Sequence, residues 1–155
     1  MAEAGEPGNA TLTVPADLAR LAEVRQFVRD VAAREGASEA VRDDLVQAVD
    51  ECVTNVIVHG YAGERGSVDV SVVRRDDGLA VSVRDGAPSF DPTAVPTPAL
   101  DEPLERRRRG GMGVHLMREL TDRFEHQPLS PRGNELTMVK RLGRTAGGSE
   151  GGDAG

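Results

Sequence analysis

Between Val41 and Val83 the apolar spacing of this chain switches from that of a helix to that of a strand, so neighbouring segments must adopt both. Val41, Leu45, Val49, Cys52, Val53 and Val56 recur at three- and four-residue steps, marking one face of an amphipathic helix. After Gly66, Val68, Val70 and Val72 alternate with Asp69 and Ser71, and Leu79, Val81 and Val83 alternate with Ala80 and Ser82. These runs predict two strands, and Asp77-Gly78 between them predicts a tight hairpin, since both residues tolerate positive φ. Asp85 shares the odd-numbered parity of Leu79, Val81 and Val83, so it should point toward the core as its strand ends.

The remaining elements follow from the same signals. Thr11 to Val14 predicts a short strand, after which Asp17 is a candidate N-cap for a helix with Leu18, Leu21, Val24, Val28 and Val31 on one face. That helix should stop near Gly36. Ser38 opens the second helix, which should run to about His59 before Gly60 ends it. Two last strands are expected at about 123–126 and 134–142, giving a sheet of about five strands. Residues 1–10 and 143–155 are small, polar and glycine-containing, and read as flexible tails around one domain over 11–142.

Composition narrows the function classes. With no Trp, one Tyr and three Phe in 155 residues, the core must be aliphatic. A formal net charge of -7 argues against direct nucleic-acid binding, which needs a positive footprint, and favours a protein or small-molecule partner. The one cysteine, Cys52, has no intrachain partner and falls in an apolar stripe, which fits a small buried hydrophobe in a reducing compartment. The acidic start MAEAGEPGNA lacks the features of a signal peptide, and no apolar run approaches a membrane span, so a cytoplasmic location is expected.

Three features bear on chemistry. Glu51 and Asn55, four residues apart, project along one edge of the helical stripe, and His59, one turn further on, lies nearer the stripe itself. Glu51 can accept a proton and Asn55 can offer an oxygen to a hard cation such as Mg²⁺, although the same pair also suits a solvated helix border. Asp85 is a carboxylate on an apolar face, a costly placement without a dedicated partner, and it also suits the cap of the turn Gly86-Ala87-Pro88. Residues 86–112 lack periodicity and contain five prolines and the run Arg106 to Arg109, as in a lid. Gly110-Gly111-Met112-Gly113 then leads into Val114, Leu116, Met117 and Leu120, a glycine-rich helix start that suits either an anion or mere backbone freedom. The arginine run reads as a solvated stretch or as a charge source for phosphates or an acidic partner. No G-x-x-x-x-G-K-[ST] occurs.

Taken in order, ECVTNVIVHGY (51–61), RDGAPSFDP (84–92), GGMGVHLMRELTD (110–122) and NELTMVKR (134–141) resemble the serine-kinase anti-sigma factors, or switch kinases. These lie within the superfamily of gyrase, heat-shock chaperone and histidine-kinase ATP-binding domains, and the resemblance spans about 11–142. It implies a two-layer α/β sandwich with helices on one face of a mixed, mainly antiparallel sheet. It further implies an ATP-dependent protein serine/threonine kinase that uses Mg²⁺. Residue by residue, it makes Glu51 the general base, Asn55 the Mg²⁺ ligand, and Asp85 the acceptor for the adenine amino group. Gly111 and Gly113 would shape the lid end near the phosphates, and Thr137 would sit close to the adenine. Where the family has Asp-x-Gly, this chain has Asp85-Gly86-Ala87; the added methyl and its dislike of positive φ bear on nucleotide affinity.

The implied partners are an anti-anti-sigma antagonist protein, whose serine accepts the phosphoryl group, a sigma factor that competes with it, and a second copy in a homodimer. A different reading, a module that sequesters a sigma factor or another regulator with little or no nucleotide binding, draws its support from Ala87. The ATP-binding domain of a histidine kinase would need an attached phosphoacceptor helical pair, which no pattern in the chain suggests.

Overall fold

The computed structural model describes residues 2–3, 9–88 and 111–142. Strands β1 (Ala2–Glu3), β2 (Asn9–Pro15), β3 (Ser67–Arg75), β4 (Gly78–Asp85), β5 (Arg123–Pro128) and β6 (Asn134–Arg141) form one sheet in the order β1-β2-β3-β4-β6-β5. The expected five strands are present, joined by the two-residue β1. Every pairing is antiparallel, so the sheet among the described residues is wholly antiparallel rather than mixed. Helices α1 (Leu21–Arg34), α2 (Glu39–Asn55) and α3 (Gly111–Leu120) complete the two layers.

Local chemistry sets the boundaries. Asp17 Oδ1 accepts from the Ala19 amide at 2.9 Å and caps a short 3-10 turn, Leu18–Arg20, that leads into α1. Gly36 takes φ +90 after α1, and the Ser38 hydroxyl accepts from the Val41 amide to open α2. The second helix departs from expectation at its end: α2 stops at Asn55 and continues as a π-helical turn, Val56–Tyr61, closed by an Ala62 N–H to Ile57 C=O bond. The hairpin also differs by one residue. Asp76 and Asp77 form its loop, with Asp76 at φ +48, and Gly78 already pairs as the first residue of β4. A Cβ on Gly78 would lie 2.9 Å from the Lys140 carbonyl oxygen, so glycine here serves close strand approach.

The core lies between the helices and one face of the sheet. Leu12, Val14, Val68, Val70, Val72, Leu79, Val81, Val83, Leu136 and Met138 share one core with the stripe that runs along α2 into the π turn, whose six residues from Val41 to Val56 are all buried. It is aliphatic as expected, with Phe27 and Tyr61 as its aromatic members. The opposite face is polar, with Thr11 beside Ser71, Thr13 donating to Asp69, and a shallow hollow bordered by Ser82, Arg84 and Glu135.

The expectation of a tail over residues 1–10 is corrected where the chain is described. Ala2 and Glu3 pair with Leu12 and Thr11, and β2 begins at Asn9. Ala10 is buried in alternation with Leu12 and Val14, so the apolar face of the strand starts earlier than its β-branched residues suggest. Residues 143–155, the Arg106 to Arg109 run and lid positions 89–110 lie outside the described residues.

Candidate active site

Asp85 is the pivot of the site. Its strand parity directs it onto the helix-covered face, where it is 5% exposed among aliphatic neighbours. Oδ1 accepts from the Ala87 amide at 2.8 Å and from Asn134 Nδ2 at 3.1 Å, so the turn-capping role holds for one oxygen. The other oxygen, Oδ2, is buried and has no hydrogen-bond partner among the described residues. Burial pushes the carboxyl above its ordinary value of 3.8; hydrogen bonds from Asn134 and Ala87, and the nearby His126, oppose that rise. An acceptor aimed at no donor inside a protein is costly and fits a ligand that brings an N–H.

Tyr61 fixes the strand exit. Its hydroxyl donates to the Ser67 carbonyl at 2.8 Å and accepts from the Gly86 amide at 2.7 Å, tying the end of the π turn to the end of β4. Ala87 is fully buried, and a Cβ on Gly60 would lie 3.3 Å from its methyl carbon. Ala87 is not among the residues at positive φ, so this backbone does not demand the glycine that the resemblance led one to expect.

Glu51 and Asn55 occupy the last two turns of α2, both half-buried. Burial, with the Asp50 carboxylate as a smaller contributor, raises the Glu51 carboxyl above its ordinary 4.5, which favours a proton acceptor over an inert anion. Asp50 itself is held by Arg25 at 2.6 Å, a link from α2 to α1. Cys52, between these two positions, is fully buried and close enough to feel the Asp85 charge, so this part of α2 lies beside the Asp85 end of the sheet. Burial drives its thiol far up, in keeping with a packing role. His59 is exposed on the π turn rather than set in the stripe.

Gly111 is the first residue of α3 and Gly113 the third, so the glycine-rich segment is helical from Gly111 onward. Helix α3 packs against α2, and Met117 is buried in the core. Thr137 is corrected. Strand β6 alternates, and Leu136 and Met138 take the core face, which sends Thr137 to the polar face, where its hydroxyl lies 3.2 Å from that of Ser82. It cannot join Asp85. Asn134 takes that place: it is 0% exposed, is the register partner of Asp85, and shares the core parity of Leu136 and Met138. The parity argument applied to Asp85 would have found it.

The model of the histidine kinase-like ATPase domain family matches residues 14–140. A serine-protein kinase RsbW from Halalkalibacterium halodurans is 32% identical over 143 residues, covering 90% of this chain and 86% of the relative. An anti-sigma F factor from Clostridium acetobutylicum is 31% identical over 103 residues, 64% of this chain and 70% of the relative. A crystal structure of the RsbU and RsbW domains of Rv1364c from Mycobacterium tuberculosis superposes with a TM-score of 0.60 at 22% identity. It covers 85% of this chain, which spans 32% of that longer one, and it speaks to the fold. Family model and relatives agree: the chain belongs to the histidine kinase-like ATPase domain family and, within it, to the serine-kinase anti-sigma factors.

Proposed function

We propose that this chain is an ATP-dependent protein serine kinase and anti-sigma factor that transfers the γ-phosphoryl group of Mg·ATP to a serine of an anti-anti-sigma antagonist. The observation that carries this reading is the buried, unpartnered Asp85 Oδ2 at the end of β4, beside the helix that bears Glu51 and Asn55. An exocyclic amino group is the donor this oxygen lacks, and adenine has one where guanine has a carbonyl.

Each remaining residue has a task that its chemistry suits. Asn55 offers a carboxamide oxygen to Mg²⁺, a cation that characteristically takes few protein oxygens and completes its shell with phosphates and water. When bound, Mg²⁺ supplies charge neutralisation across those phosphates. Glu51, its carboxyl raised by burial, takes the proton of the acceptor serine. The backbone at Gly111 and Gly113 opens α3, and the amide donors and dipole of a helix start favour an anion. Ala87 packs its buried methyl toward Gly60 beside the Asp85 carboxylate. The antagonist and a sigma factor then compete for the kinase, and phosphorylation decides which is held; the relatives named serine-protein kinase and anti-sigma F factor support the two activities that this scheme joins. A homodimer and a cytoplasmic location belong to the same proposal; no helix among the described residues is long and apolar enough to cross a membrane.

The test is calorimetric titration with Mg·ATP followed by incubation with the antagonist and mass analysis of its serine. Binding with a phosphoryl gain on serine supports the kinase. A chain that holds a sigma factor yet binds no nucleotide would move the sequestering module ahead of it.

A further inference from the structure

Asp85 and Asn134 are the two buried polar side chains among the described residues, and they form a chain that reaches the sheet edge. Asn134 Nδ2 donates to Asp85 Oδ1 at 3.1 Å and to the Pro88 carbonyl at 3.2 Å, while Asn134 Oδ1 lies 2.9 Å from His126 Nε2. Both neighbours of Nδ2 are acceptors, so the amide can face only one way, and His126 completes the arrangement by donating from Nε2. The carboxamide thus engages one carboxylate oxygen and joins it to the first residues of the segment that leaves β4. Gly133 allows this approach: it takes φ +119, and a Cβ there would lie 2.6 Å from the Asp85 carbonyl oxygen.

With Ala87 N–H and Asn134 both on Oδ1, the carboxylate has one orientation, and Oδ2 finds no donor among the described residues. We propose that Asn134, anchored by His126, is a positioning residue that sets which oxygen of Asp85 meets the base and so makes the site choose a 6-amino purine over a 6-oxo purine. The inference rests on the reading of Asp85 as the base-binding acceptor. Without the clamp, the carboxylate can rotate or take up a proton on Oδ2, and its preference for an amino donor falls. Among the described residues, the titratable groups that act on Asp85 are His126 on β5 and Cys52 on α2, with the Tyr61 hydroxyl one residue away on the Gly86 amide; the thiol is held neutral by burial, so His126 is the neighbour that bears on the clamp.

The experiment is titration of the full chain with Mg·ATP and Mg·ITP, comparing wild type with Asn134→Leu, His126→Phe and His126→Gln. Wild type should prefer ATP by about tenfold or more, the span of one buried hydrogen bond made or left unmet. Asn134→Leu should lose about that factor for ATP while ITP affinity holds, bringing the ratio toward one. His126→Phe should shift the ratio in the same direction by a smaller factor, and His126→Gln, which keeps a donor for Asn134 Oδ1, should restore it. His126 is half-buried on the edge strand β5, so this pair decides the matter if Asn134→Leu does not fold. Equal loss of ATP and ITP affinity in the variants would overturn the positioning role and leave the base site standing. A wild type that binds neither nucleotide, or both equally, would remove the base site itself.

Discussion

Asp85 and Asn134 are register partners where the β4 and β6 ladder ends, and their side chains meet at 3.1 Å on the helix-covered face of the sheet. The pairing leaves Asp85 Oδ2 as an acceptor without a donor among the described residues. Asp85→Asn keeps an oxygen for the Ala87 and Asn134 donors but turns a donor toward the base. Mg·ATP affinity should fall by at least about tenfold while the fold persists. The folded-state carboxyl lies above 3.8, so the native protein binds the proton more tightly than the unfolded chain. Wild-type stability therefore declines as pH rises from 3.8 through the raised value, and the variant escapes that decline. Denaturant melts should show the variant gaining most near neutrality and least toward acid pH; a variant that loses stability throughout would contradict the account.

Glu51→Gln separates binding from transfer. The amide keeps the size of the side chain and cannot take a proton, so Mg·ATP affinity should stay close to wild type while phosphoryl transfer falls by about 10²- to 10⁴-fold, the usual reach of a general base. A base must be ionised to act, and burial raises this carboxyl above 4.5. Transfer in wild type should therefore already decline with acidification above that value. A flat pH profile down to 4.5, or unchanged transfer in the variant, would exclude Glu51 as the base.

Much of this site was legible because the period of each element dictates which side chains reach the core. The step of three and four along α2 placed Glu51 and Asn55 at the border of its stripe, and the alternation of β4 placed Asp85 inside. Thr137 falls outside the site because strand parity, which motif order does not carry, gives the core face to Leu136 and Met138 and sends Thr137 opposite. His126 carries little local signal, since β5 alternates only weakly between Phe124, His126 and their polar neighbours, and its link to Asn134 depends on register across two strands. The π turn after Asn55 was illegible for another reason. A shift from i→i+4 to i→i+5 bonding leaves the apolar pattern nearly unchanged.

Tyr61→Phe should loosen the exit of β4. The substitution deletes the 2.8 Å bond to the Ser67 carbonyl and the 2.7 Å bond from the Gly86 amide, with no change in apolar volume. The expected loss is about 1–2 kcal/mol in denaturant melts, with weaker Mg·ATP binding because Gly86 adjoins Asp85. Unaltered stability would mean that water replaces both partners and that the hydroxyl does not hold the strand end.

The methyl of Ala87 and the bare Cα of Gly60 form a size pair. Ala87 is fully buried, and a Cβ on Gly60 would approach its methyl carbon to 3.3 Å, closer than comfortable packing. Neither residue is at positive φ, so backbone geometry permits either side chain at either position. Ala87→Gly should cost about 1–2 kcal/mol, combining a lost buried methyl with a more flexible unfolded chain. Mg·ATP affinity in that variant should remain within about threefold of wild type, because the Asp85 contact it retains is the Ala87 backbone amide rather than the methyl. Gly60→Ala should also destabilise, by crowding. Placing both changes in one chain moves the methyl across the contact, so the double variant should be more stable than the sum of the single losses predicts, by about 0.5 kcal/mol or more. Strict additivity would show that the two positions do not touch in solution, and a large gain in nucleotide affinity on Ala87→Gly would show that the methyl, not the carboxylate, limits the fit of the base.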